Sequence, residues 1–334
     1  MREERIERVI GEDGYPVDVI SHFKNGKLVD NYDGSTIKKI MYDWSDREIE
    51  ISHYHSSGML MPDIFGIAIY KTEYLSNTEY EEHFLGPDNS PVENLDGATK
   101  ISYKLDDLGN IVETSFYGIN GKPVKDSDGV STYLTEYDEM ENISEERYLN
   151  SEGLLIESLN RWAITKFKYD KFDRLIENKG YGLDLKLKED VNRVAIYEYD
   201  YDHFGNISEI RHFSKDRILR EDKFGYAIHR KSYNEFGKII ESKCCGIEGK
   251  LKLNIDGYAI CTSKFDEIGK IIEIRYSDRA GEAIDCFMGY TRIKYEYDNE
   301  KTLAITSFYN TRRVLVYRDS TGNNPKLSDP WEGV

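Results

Sequence analysis

The chain has 334 residues, 39% hydrophobic and 32% charged, with 26 Tyr and 26 Gly against 7 Pro. That composition predicts a folded, strand- and turn-rich protein with ample length for a buried core. Its formal net charge is −17 with acids and bases interleaved, which argues against a phosphate-tracking nucleic-acid binder and against docking on anionic lipid.

The opening segment, Met1 to Gly14, reads MREERIERVIGEDG and has no apolar signal-peptide core. The longest apolar run, near Ile64 to Tyr70, is far too short to span a bilayer. Cytoplasmic residence is therefore the expectation, with export that does not read the N-terminus left open.

From there on the chain repeats itself. Gly225, Gly257 and Gly289 stand 32 residues apart and each opens a similar segment, Gly-Tyr-Ala in the first two. Stepping backward finds further copies and divides the chain into ten units: 2–33, 34–65, 66–96, 97–128, 129–160, 161–192, 193–224, 225–256, 257–288 and 289–317. A non-repetitive tail, 318–334, follows. The ninth column is aromatic in most copies, as at Tyr42, Tyr137, Tyr201, Tyr233 and Phe265; the tenth is Asp or Asn, as at Asp43, Asp202 and Asn234. The seventeenth is acidic in nine of ten, as at Asp18, Glu50, Glu241 and Glu273.

Three turn signals recur within each copy. Asp202-His203-Phe204-Gly205 typifies the first, since Asp accepts hydrogen bonds from the backbone two residues on and Gly tolerates positive φ. A second lies at Gly26, Gly58, Gly121, Gly153, Gly249 and Gly281, and a third at the junction of copies. The flanking runs of Tyr, Ile, Val and Thr predict a β-hairpin with a four-residue loop. In that register the sixth column faces the seventeenth, pairing Lys39 with Glu50, Lys71 with Glu82, Lys166 with Glu177 and Arg230 with Glu241, against two like-charged pairs, Glu7–Asp18 and Glu198–Glu209. Columns five, seven, nine, sixteen and twenty then share an apolar face. The fold class expected is all-β: a tandem repeat of β-hairpins, about ten 32-residue units, forming an extended curled sheet, solenoid or superhelix. A propeller blade needs more residues than one copy supplies.

The Tyr-Asp-x-x-Gly-Asn-Ile pattern at Tyr201 to Ile207, with Gly-Tyr-Ala before it in other copies and Gly121-Lys122-Pro123-Val124 after it, resembles the YD repeats of the Rhs family of bacterial proteins. The resemblance covers nearly the whole chain and implies β-sheet strips that spiral, in longer members into a shell around cargo. Ten units are too few for enclosure. The segment from Tyr317, with Gly322 and Leu327-Ser328-Asp329-Pro330, resembles the end of an Rhs core, although Trp331 and Glu332 separate Pro330 from Gly333 where the family has one residue.

No residue pattern nominates a catalyst, a cofactor or a metal. The seventeenth-column acids read as a solvated face, neutralised by bases two residues along at Arg147, Lys179, Arg211, Lys243 and Arg275. The tenth-column Asp has a turn to build, and no D-x-D-x-D-G loop is present. The histidines, His53 and His55 among them, lack H-E-x-x-H spacing, and Cys244, Cys245, Cys261 and Cys286 lack C-x-x-C, so they read as reduced structural thiols. Walker A, G-x-G-x-x-G and G-x-S-x-G motifs are absent. The tyrosine column reads either as an inward ladder or as a platform for sugars or partner side chains. The functional expectation is a non-enzymatic binding or scaffold protein for protein–protein interaction, such as an immunity or accessory protein of a bacterial toxin system. The alternative is carbohydrate or cell-envelope binding through the tyrosines.

Overall fold

A computed structural model describes residues 2–298 and 303–319. The described residues contain no helix, and every strand pairing among them is antiparallel. The fold is all-β and built from successive hairpins. Two compact units divide the chain, Met1–Thr165 and Lys166–Val334.

In the first unit, β1 (Arg2–Ile10) and β2 (Pro16–Lys24) make the opening hairpin, with Ile6 opposite Ile20 and Arg8 opposite Asp18. Hairpins with first strands Ile37–Tyr42, Ile69–Tyr74, Lys100–Leu105 and Thr132–Tyr137 follow, one per copy. In the second unit the corresponding strands are Ile196–Tyr201, Ile228–Tyr233, Ile260–Phe265 and Arg292–Tyr297. A last strand, Leu315–Asp319, extends the pairing two residues past the expected end of the array. The rest of the tail, including Gly322, Leu327–Pro330 and Trp331-Glu332, lies outside the described residues.

The first turn follows from the tenth-column side chain. Asp202 Oδ1 accepts the backbone N–H groups of Phe204 and Asn206, each at 2.9 Å. Asp202 N–H donates to Asn206 O (2.8 Å) and Gly205 N–H to Asp202 O (3.1 Å). Gly205 sits at φ 91°, and Asp46, Glu141 and Asp173 take the same left-handed form at this column, whereas Thr78 in the shorter copy does not.

This turn closes a five-residue loop, not the expected four, and it changes the register. Tyr233 faces Ile239, a bulge falls between Ser232 and Tyr233, and Arg230 faces Lys243 instead of Glu241. The left-handed residue after the turn inserts the extra residue that a bulge accommodates. Lys39 accordingly faces Ser52, whereas in the shorter copy 66–96 the ladder runs without a bulge and Lys71 faces His83. The charge complementarity between columns six and seventeen exists, but between copies: Glu50 faces Lys71, Glu209 faces Arg230 and Glu273 faces Lys294. Glu177, expected opposite Lys166, faces Glu198. The two like-charged pairs also dissolve, because Glu7 faces Val19 and Glu198 faces Arg211.

The shift moves column sixteen off the apolar face. Ile240 and Ile272 are exposed, while columns eighteen and twenty, such as Ile210 and Ile274 with Cys244 and Tyr276, are buried. The densest core lies where the copies meet, in columns two and three: Val130-Ser131, Trp162-Ala163, Val194-Ala195 and Tyr258-Ala259 are almost wholly buried. Column three needs a small side chain because its backbone bonds two copies at once. Ala227 N–H donates to Cys245 O (2.8 Å) in its own copy, and Ala227 O accepts His212 N–H (2.9 Å) from the copy before.

Candidate binding surface

The seventeenth-column acids are neutralised from two directions. In the copies between 129 and 288 the acid meets the base two residues along its own strand: Arg147 Nε lies 2.5 Å from Glu145, Lys179 Nζ 3.1 Å from Glu177, Arg211 3.0 Å from Glu209 and Arg275 2.7 Å from Glu273. From the next copy, Arg230 reaches Glu209 (2.7 Å) and Arg292 reaches Glu273 (2.6 Å). Burial works against ionising Glu273, but the bonds from Arg275 and Arg292 outweigh it and hold its carboxyl below the ordinary range. Glu177 is held low in the same way, against burial, by Lys179 and Arg217. The ladder is a set of cross-copy ties. Among the described residues no group of three or more His, Cys, Asp or Glu is arranged to hold a metal ion.

The ninth-column tyrosines are also committed. In the first unit, Tyr74 Oη donates to Glu48 O (3.1 Å) and Tyr137 Oη to Ile111 O (2.8 Å). In the second, Tyr201, Tyr233 and Tyr297 donate to Leu175 O, Ile207 O and Ile271 O at 2.6 to 2.7 Å. Each acceptor is the carbonyl 26 residues earlier, at the start of the preceding copy's second strand. The rings are half-buried, and several carry a cation over one face, as Arg174 does over Tyr201 (4.6 Å) and Lys270 over Tyr297 (4.5 Å). They are staples between copies, with little free face left for a sugar.

A buried polar cluster occupies the second unit. His212 Nδ1 lies 3.4 Å from Tyr226 O and 3.7 Å from Asp222 Oδ2. Burial depresses His212 to about 4 and His229 to about 3, and lifts Asp222 to about 6. All four cysteines are buried and none is joined in a disulfide; burial pushes the Cys244 thiol up to about 12, far from a reactive thiolate. His53 is buried in the first unit, 3.8 Å from Asp33, whereas His55 caps the second turn of its copy, accepting Ser57 N–H at 3.2 Å. The two histidines do not form one site. A shallow depression bordered by Arg193, Arg220, Lys223 and Lys252 has two of its cations already paired, Arg220 with Glu189 and Lys252 with Glu221.

What remains uncommitted is the tip of the first turn. The Asx turn uses column twelve only through its backbone N–H; its side chain meets neighbours within the same turn, as Phe172 does with Lys171 (4.8 Å) and Arg174 (5.1 Å) and Phe204 with His203 (3.7 Å between rings). In the second unit that column holds Phe172, Phe204, Phe236 and Ile268, exposed by 63%, 74%, 73% and 55%. Their hairpins follow one another in the sheet, and consecutive turns touch, since a Cβ built on Gly237 would sit 3.7 Å from Asn206 Oδ1. The four side chains therefore form a row at intervals of about 10 Å, two strand spacings. Leu108 and Met140 hold the same column in the first unit and are equally exposed. Nothing in the letters marks this column, because a phenylalanine in a turn reads as exposed or buried only once the strands on either side are placed. A second apolar edge follows the third turn, as at Ile255 and Phe287.

Neither a family model nor a curated protein sequence matches the chain. Solved structures do. A crystal structure of TcdB2–TccC3 without its hypervariable C-terminal region matches over 96% of this chain and 18% of its own, at 13% identity and a TM-score of 0.37. A second TcdB2–TccC3 structure matches over 91% and 19%, at 12% identity and a TM-score of 0.31. A Photorhabdus luminescens Tc holotoxin pore matches over 92% and 19%, at 10% identity and a TM-score of 0.23. The chain thus spans about a fifth of the length of these three structures, and a likeness at these values says nothing of what it binds.

Proposed function

We propose that the chain is a non-enzymatic scaffold that binds a partner protein along the first-turn tips, in the cytoplasm. The observation that supports this reading is the row Phe172, Phe204, Phe236 and Ile268: large apolar side chains, one per copy, more than half exposed along one edge of turns that bond them only through the backbone. Exposed apolar rows of this kind mark interaction sites, and aromatic anchors dominate binding energy where they fill a partner's pockets. A row with a fixed interval favours an extended partner surface over a small ligand. The resemblance of the repeat to YD repeats makes a toxin-system partner, as for an immunity or accessory protein, the first to look for. Carbohydrate binding is the weaker reading, because the tyrosines it relied on give their hydroxyls to the preceding copy.

The test is affinity capture from the native host with the wild-type chain and with Phe172→Ser/Phe204→Ser/Phe236→Ser. These side chains lie outside the core, so the variant is expected to melt like the wild type. A protein retained by the wild type and lost by the variant supports the reading; equal capture by both, or no capture by either, rejects it.

A further inference from the structure

We infer that β1 is a self-recognition edge through which two copies of this chain pair, strand against strand, about a two-fold axis at Ile6. Among the described residues β1 pairs with β2 alone, and Glu3 to Ile10 are all exposed. Its second edge presents unpaired backbone groups, and their positions follow from the turn. Gly11 N–H donates to Tyr15 O at 2.8 Å, and Ile10 stands opposite Pro16, which has no N–H to give. Hydrogen-bonded and non-bonded pairs alternate along an antiparallel ladder. The odd-numbered residues Glu3, Arg5, Glu7 and Val9 therefore bond β2, and the even-numbered residues Glu4, Ile6 and Arg8 turn their N–H and C=O groups outward.

The side chains along this edge are complementary to themselves. Placing β1 antiparallel to a second β1 with Ile6 opposite Ile6 sets Glu4 against Arg8 and Arg5 against Glu7, on both sides of the axis. Four opposite-charge pairs then flank one apolar pair, and none of the four is like-charged. The central Ile6 is 62% exposed in the single chain. Charged residues on an edge normally discourage pairing because they meet uncompensated or like charges. Here the order of charges does the reverse for a second copy and for no arbitrary strand. One existing ion pair competes: Arg5 Nε lies 2.8 Å from Glu3 on its own strand, an exposed contact that Arg5 would exchange for the second copy's Glu7. The other two are extended rather than broken. Arg8 lies 2.7 Å from Asp18 and Glu4 3.1 Å from His22, both on the face that carries Ile6, so Arg8 would join Asp18 to the second copy's Glu4. An isologous contact of this kind closes on itself, leaving a dimer with that edge paired.

The experiment uses the full chain and measures molecular mass by sedimentation and light scattering from low to high micromolar concentration. The wild type is expected to shift from monomer to dimer. Arg5→Glu/Arg8→Glu and Glu4→Arg/Glu7→Arg each place like charges opposite one another in the self-pair, which should weaken self-association about tenfold or more. Mixed together, the two variants complement each other, and native mass spectrometry should show the mixed dimer. Ile6→Pro removes an outward N–H and leaves the bonds to β2 untouched, so it should abolish the dimer while keeping the melting behaviour of the fold. A wild type that stays monomeric throughout, a charge-reversed variant that dimerises as well as the wild type, a mixture of folded variants that stays monomeric, or an Ile6→Pro chain that still dimerises would each overturn the inference.

Discussion

The Tyr233 hydroxyl donates to Ile207 O at 2.7 Å, across 26 residues, so that the ninth-column ring of one copy closes on the first residue of the preceding copy's second strand. The bond gives the tyrosine a reason to be tyrosine. A half-buried ring could be Phe for packing alone, as at Phe265, but the hydroxyl satisfies a carbonyl beside the bulge. Tyr233→Phe should cost about 0.5–1.5 kcal/mol, the net worth of one hydrogen bond. Tyr233→Ala should cost about 2–4 kcal/mol, at or below the range for a fully buried ring. Denaturant melts check both; equal losses for Phe and Ala would show that packing contributes nothing.

The same measurement on the first copy gives a contrast. Ile10 holds the ninth column there but is 68% exposed, so Ile10→Ala should cost less than about 1 kcal/mol. Hydrogen exchange by segment should find β1 less protected than the strand Ile239–Cys245. An Ile10→Ala chain more damaged than Tyr233→Ala would contradict both.

Asp202 is tied to two backbone N–H groups, and Asn234 does the same work in the next copy through bonds at 3.0 and 2.9 Å. Asp202 Oδ2 also accepts Asn206 Nδ2 at 3.0 Å, so Asp202→Asn should cost no more than about 1 kcal/mol, and Asp202→Ala should cost about 1–2 kcal/mol, comparable to losing a helix cap built from the same backbone bonds. Matching losses for the two substitutions would remove the turn from the explanation.

Glu273 joins two copies through Arg275 at 2.7 Å and Arg292 at 2.6 Å. Glu273→Gln weakens both charge-assisted bonds and should cost about 1.5–3 kcal/mol in low salt. The difference from wild type should narrow as salt rises, because the site is close to solvent. A loss independent of ionic strength would point to packing.

Acid should destabilise the second unit through its buried histidines. His212 is held at about 4 against an ordinary 6.5, so the folded chain keeps it neutral while the unfolded chain takes up a proton. Its contribution is fully present above pH 6.5 and is lost as pH falls toward 4, an effect of up to ~3 kcal/mol. Asp222, raised to about 6, works in the opposite sense: its contribution is greatest below its unfolded pKa and is lost as pH rises through 6, which offsets part of the slope. His212→Phe, a residue the same column accepts at Phe116 and Phe308, should flatten the dependence of urea midpoints between pH 6.5 and 4.5. An unchanged slope would assign the acid sensitivity elsewhere.

Local chemistry was legible in the letters. The repeat, its three turns and the left-handed position of each turn follow from Asp, Asn and Gly at constant offsets, because a turn is made by residues adjacent in sequence. The bases two residues beyond the acids were legible for the same reason, since a strand places columns seventeen and nineteen on one face whatever its partner. Register was not. One residue inserted by a bulge reassigns every cross-strand neighbour, so Arg230 left Glu241 for Glu209, and column sixteen gave up its place in the core to column eighteen. The small third-column residues showed their purpose only when the copies met, and the exposed Phe204 row could be recognised only after every neighbouring polar group had found its partner. Sequence fixes which way a chain bends within a few residues; which distant residues then share a surface depends on the sum of those bends, and that is decided by packing.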